Sequence, residues 1–152
     1  MKKLSLVAVT AVLVGLSASA WGAEQATKDE AVAMVKKAVA VVKSDGAEKA
    51  YAAFVDKGGK FVDRDLYVVV YGLNGVVLAH GANAKLIGKD LSDAQDVDGK
   101  YYVKERVALA NKQADFWQDY KFVNPVSKKV EPKQMYCQRL NETAVCAGIY
   151  KQ

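Results

Sequence analysis

Leu66-Tyr67-Val68-Val69-Val70-Tyr71-Gly72-Leu73-Asn74-Gly75-Val76-Val77-Leu78-Ala79-His80-Gly81 is the stretch around which the rest of the chain is organised. Two β-branched and aromatic runs, Leu66–Tyr71 and Val76–His80, flank an Asn74-Gly75 pair. Asn-Gly suits the positive φ angles of a tight hairpin turn, so the stretch predicts a β-hairpin. The first run is apolar throughout, as expected of a central strand covered on both sides. Alternation places Tyr67, Val69 and Tyr71 on one face and Leu66, Val68 and Val70 on the other. The aliphatic face is expected to pack on a helix, and the tyrosine face to line something wetter. The second run ends in His80, the only histidine of the chain.

Of 152 residues, 51% are hydrophobic and 26% charged, the composition of one globular domain without repeats or low-complexity tracts. The N-terminus reads as a secretory signal peptide over residues 1–20. Met1-Lys2-Lys3 is basic, Leu4 to Leu16 apolar, and Ala18-Ser19-Ala20 a small-residue cleavage site. The apolar run is too short for a membrane span, and no later stretch is long enough for an anchor. The expectation is a single domain over residues 21–152, periplasmic or secreted. Loss of Lys2 and Lys3 lowers the formal charge of +5 by two. The remaining basic residues are scattered, so the charge describes a solvated surface and not a nucleic-acid partner.

Thr27 and Glu30 match a capping box, and Ala31, Val35, Ala38, Val39 and Val42 follow at helical spacing. Ser44-Asp45-Gly46 should end this long helix, with Asp45 and Glu48 capping a second one that stops at Gly58-Gly59. After the hairpin, Ala82 to Lys100 is a long connection of the kind that covers something. A short helix is expected over Tyr101–Asn111, with Val103, Val107 and Ala110 on one side. Strands are expected over Phe116–Phe122, Val130–Leu140 and Thr143–Tyr150. The sum is an α+β domain, a PAS-like five-stranded antiparallel sheet with a long N-terminal helix packed on it.

The two cysteines fall in the last hairpin. About an Asn141-Glu142 loop, Cys137 and Cys146 lie opposite one another at a non-hydrogen-bonded pair, where side chains approach most closely. An oxidising compartment predicts a cross-strand disulfide there, the alternative being two buried thiols.

The sequence carries no catalytic set. One histidine and two distant cysteines cannot build a zinc site, and no Gly-x-Ser-x-Gly elbow or Cys-x-x-Cys is present. Asp96, Asp98, Gly99 and Glu105 fit part of a calcium loop, but Ala94 stands at its first position, so the segment reads as an Asp-Gly turn before a helix. No metal and no cofactor is expected, and no enzyme activity. What remains is a set of polar groups on strands: Tyr67, Tyr71, His80, Trp117, Tyr120, Lys133 and Tyr136. A lysine at the edge of an aromatic pocket suits an anionic small molecule, with phenol and imidazole groups as oriented donors.

Several blocks resemble the single Cache domain family, type 2. They are Phe61 to Tyr71, Gly75 to His80, Leu86 to Leu91, Asp98-Gly99-Lys100, Tyr120-Lys121, Asn124-Pro125, Glu131-Pro132-Lys133 and Gly148-Ile149-Tyr150. The resemblance implies an extracytoplasmic ligand-sensing domain with a long N-terminal helix on a PAS-like sheet. It further implies a C2–C4 carboxylate as ligand, with Lys133 as charge partner, Tyr67, His80, Tyr120 and Tyr136 orienting it and Trp117 walling the pocket. Receptors of the family continue into a membrane helix, whereas this sequence ends at Gln152. Output is therefore expected to need a separate membrane receptor or sensor kinase. The alternative is a protein-interaction module of the same fold that regulates an envelope partner without a ligand.

Overall fold

The structure, a computed structural model, describes residues 25–151. The signal-peptide reading of residues 1–20 falls outside them. Helix α1 (Lys28–Asp45) opens with the expected capping box: Thr27 Oγ1 accepts from the Glu30 N–H at 3.3 Å, and Glu30 Oε2 accepts from the Thr27 N–H at 2.7 Å. These bonds satisfy two amides that the first turn leaves without partners. Gly46, at φ 86°, ends α1 and starts α2 (Ala47–Val55) directly. Asp45 is not the cap of α2; it is the last residue of α1, and its carboxylate accepts from Ser44 Oγ.

The sheet contains β1 (Val62–Asp63), β2 (Leu66–Gly72), β3 (Val77–His80), β4 (Asp115–Val123), β5 (Val130–Leu140) and β6 (Thr143–Tyr150). All pairings are antiparallel, in the order β1-β2-β6-β5-β4, with β3 also on β2. The Val68 N–H donates to Phe61 O, and Val68 O accepts from the Gly81 N–H. Both groups of one strand residue point to the same edge, so β1 and β3 share that edge of β2. Five positions thus run across the sheet, and the two-residue β1 is the sixth strand that sequence reading omitted.

The β2–β3 turn differs in detail from the expected Asn-Gly turn. The Gly75 N–H donates to Gly72 O and the Gly72 N–H to Val76 O, and Gly75 has φ 86° while Asn74 stays in the ordinary region. This is a three-residue loop, a tight turn closed by a left-handed glycine. The register then shifts by one between Val70 and Tyr71, since Tyr71 pairs with Val77 but Val70 with Ala79. That bulge returns His80, opposite Val69, to the face that carries Tyr67 and Tyr71.

The two faces of the sheet are covered differently. Leu66, Val68, Val70, Val145 and Ala147 pack against Val35, Ala38 and Val39 of α1 and Phe54 of α2. Tyr67, Val69, Tyr71, Phe116, Tyr120, Met135, Cys146 and Tyr150 lie on the other face, under α3 (Tyr102–Ala110) and the connection before it. Residues 82–100 do cover that face: Leu86, Leu91 and Ala94 pack on it, and the segment hydrogen-bonds along β3 through Val77. The Cys137–Cys146 disulfide bridges β5 and β6 there at a Cα–Cα distance of 4.1 Å, both residues being fully buried.

Candidate functional site

β5 contributes Lys133 to the α3-covered face. Gly148 of β6 makes room for it, since a Cβ at that position would come within 2.9 Å of Lys133 Cε and of the Met135 backbone. The lysine is 1% exposed. Its Nζ donates to Tyr67 Oη at 2.8 Å and Tyr150 Oη at 3.3 Å, and lies 4.0 Å and 4.6 Å from the centres of those two rings. Tyr150 Oη donates to Val123 O at 2.8 Å. Its own proton is therefore used, and in the 3.1 Å contact between the two phenols Tyr67 is the donor. No acid pairs with Lys133 among the described residues. Burial, and then the positive charge of Arg106, push the amine well below its ordinary value.

Arg106 is the residue that sequence reading missed. It projects from α3 and is fully buried, with its guanidinium carbon 4.7 Å from the ring centre of Tyr71 and 4.9 Å from that of Tyr120. Nε donates to Gln118 Oε1 at 2.9 Å, and Gln118 Nε2 in turn donates to Tyr102 O and Glu105 Oε2. Gln118 is thus locked with its oxygen toward the arginine. Nη1 and Nη2 are buried and have no hydrogen-bond partner among the described residues. Leaving such donors unpaired costs about 1–3 kcal/mol or more for a charged group. The signal in the sequence was a charge set in the apolar stripe Tyr102, Val103, Arg106, Ala110, all four of them buried.

His80 is pinned by its own chain. Nδ1 accepts from the Asn83 N–H at 3.0 Å and the Ala82 N–H at 3.3 Å, which puts the ring proton on Nε2. Burial pushes the imidazole down to about 3, so it is neutral. The ring stacks on Tyr67 at 5.1 Å, and the pair lines a cavity of about 250 Å³ with Phe122 and Lys128. Lys133 and Tyr120 line a separate opening of about 220 Å³, with Asp96, Asp119 and Lys121. Tyr120 and Tyr67 are both pushed well above the ordinary phenol value by burial, so their hydroxyls keep their protons.

The structure brings together Tyr67, Tyr71, His80, Tyr120 and Lys133 from the polar strand set, and joins to them Arg106, Tyr102 and Tyr150. It separates Trp117 and Tyr136. These two are cross-strand partners on the helix-covered face, with ring centres 5.3 Å apart and Lys28 Nζ of α1 over the indole. The reason is alternation. Trp117 is three residues from Tyr120, and Tyr136 three from Lys133, so each points the opposite way. The partial calcium-loop pattern is a turn: Asp96 Oδ1 accepts from the Asp98 and Lys100 amides, and Oδ2 from that of Lys121.

Comparison with known proteins gives the same fold. A methyl-accepting chemotaxis protein from Vibrio parahaemolyticus superposes with a TM-score of 0.70 at 22% identity, covering 81% of this chain and 87% of its own. A periplasmic sensor domain of a chemotaxis protein gives 0.65 at 24% identity, with 82% and 90% covered. A structure described as the basis for carboxylic acid recognition by a Cache chemosensory domain gives 0.69 at 21% identity, with 82% and 92% covered. No curated protein matches the sequence. The family model described as Single Cache domain 2 matches residues 5–148, and the chain belongs to that family of extracytoplasmic sensor domains.

Proposed function

We propose that the α3-covered face is the receptor site for a small carboxylate of two to four carbons, and that the liganded domain signals through a separate receptor or sensor kinase. The observation that carries this reading is Arg106: a fully buried guanidinium whose two terminal nitrogens have no partner among the described residues. Two parallel N–H donors are the geometry that a carboxylate accepts bidentately. Gln118 fixes the guanidinium, Tyr71 and Tyr120 flank it, and Lys133 with its two phenols supplies further donors. Arg106 thereby takes the anchoring role that sequence reading gave to Lys133. The similarity to a structure titled for carboxylic acid recognition agrees with this chemistry.

A thermal-shift screen against C2–C4 carboxylates tests the reading. A ligand at about a hundred times its Kd stabilises by ~2.7 kcal/mol, and Arg106→Met is expected to abolish the shift. No shift with any acid, in protein that melts cooperatively, would leave the interaction-module reading. That reading has its own observation in the exposed valines 123, 126 and 130 at the β4–β5 turn.

A further inference from the structure

We propose that Lys133 sets the charge of the ligand: the site takes a singly charged acid on Arg106 at neutral pH, and takes a doubly charged acid only together with one proton. This rests on the carboxylate reading above and adds a selectivity to it. The geometry supplies a fixed charge and a conditional one. Arg106 is permanently protonated. Among the described residues Lys133 has two phenol oxygens as partners, both of which serve a neutral amine as well as an ammonium.

Among the described residues no acid makes contact with Lys133. β2 presents Tyr67, β6 Tyr150, and β4 Tyr120 with Phe122, all uncharged. β3 presents a His80 that its backbone bonds keep neutral. α3 presents Arg106, which repels a second positive charge. Asp65, before β2, attracts the ammonium but makes no contact with it, and its Oδ1 accepts from the Ala26 N–H. At the opening beside Lys133, Lys121 pairs with Asp98, Lys151 with Asp119 and Lys100 with Glu105, and the Asp96 carboxylate accepts from three backbone amides. Against Lys133 and its two phenols the fixed positive charge is that of Arg106, which one carboxylate matches. A second carboxylate brought against the amine restores the missing counter-charge and draws a proton onto it.

Calorimetric titration of the purified protein with propionate and succinate, in two buffers of different ionisation enthalpy, tests this. Between about pH 6.5 and 8.5 both ligands keep their charge, so any proton taken up belongs to the protein. Propionate is expected to bind with a Kd that is flat in pH and with no proton uptake. Succinate is expected to take up one proton, its Kd improving about tenfold for each unit the pH falls on the alkaline side of the Lys133 titration. In Lys133→Arg the charge is fixed, and the succinate Kd should lose its pH dependence. Lys133→Met serves as the second variant, where succinate should take up no proton; thermal melts establish that both are folded. Succinate binding without proton uptake, or propionate binding with it, overturns the proposal while leaving the site a carboxylate receptor. Failure of both acids to bind overturns the carboxylate reading, and this inference falls with it.

Discussion

The two faces of one sheet are built to opposite ends. Against α1 and α2 the buried cluster is aliphatic and aromatic: Val35, Ala38, Phe54, Leu66, Val68 and Val70 meet as hydrocarbon. On the other face the same strands bury a lysine, a glutamine and four tyrosines, and α3 adds a fifth tyrosine and Arg106, whose two terminal nitrogens have no partner among the described residues. Buried polar groups are ordinarily satisfied, and the ones that are not call for a reason. The first face holds the domain together, and the second gives up stability, which the proposed anion site would account for. Stability and binding should therefore respond in opposite directions to substitutions on the two faces.

The largest effect is expected on the helix side. Phe54 is fully buried between Tyr51 and Phe61, and Phe54→Ala should cost about 3–5 kcal/mol, read as a lower urea midpoint. Next, and opposite in sign, Lys133→Met should raise the stability of the unliganded protein by roughly 1–4 kcal/mol. It replaces a buried, uncompensated amine by an apolar chain of similar length. Tyr67 and Tyr150 retain each other and Val123 O as partners. A lower melting temperature in this variant would mean that Lys133 is stabilised in ways the geometry does not contain.

The helix face was the more legible of the two because it follows periodic rules. Thr27 with Glu30, the 3.6-residue spacing of Ala31 to Val39, and the alternation of Leu66, Val68 and Val70 each report one local preference, and all agree. The Cys137–Cys146 pairing was legible for a similar reason, since a two-residue loop fixes the register of β5 and β6. The site depended on features that no short window contains. His80 faces the site because of the register shift in the β2–β3 pair, and Arg106 meets Tyr71 and Tyr120 only after α3 folds over the sheet. Trp117 and Tyr136 are a different matter, because strand alternation applied to Tyr120 and Lys133 already excludes them from that face.

A third effect, spread over several pH units, concerns acid. His80 is held at about 3 in the folded chain, against an ordinary value of 6.5. Above pH 6.5 the imidazole is neutral in both states and the fold keeps its full stability. Between 6.5 and about 3 the unfolded chain binds a proton that the folded chain does not. Stability should then fall by about 1.4 kcal/mol per pH unit from this group, and the loss should be complete as pH passes through the folded value. Urea midpoints at pH 7, 6, 5 and 4 should show a steeper decline in the parent than in His80→Gln. Equal slopes would mean that Nδ1 does not hold the Ala82 and Asn83 amides in solution.

The smallest expected effect is also the sharpest test of which face is which. Tyr136 and Tyr67 are both buried phenols on central strands, and removal of one oxygen from each is the same chemical change. On the helix side Tyr136 packs on Trp117, and its hydroxyl holds neither Lys133 nor Arg106. Tyr136→Phe should therefore move stability by no more than about 0.5 kcal/mol and leave the carboxylate-induced thermal shift as it was. Tyr67→Phe removes the closest acceptor of Lys133 and the donor to Tyr150, and should reduce that shift. A ligand response that Tyr136→Phe lowers and Tyr67→Phe spares would move the binding site to the helix side of the sheet, where Lys28 over Trp117 would be the cation to reconsider.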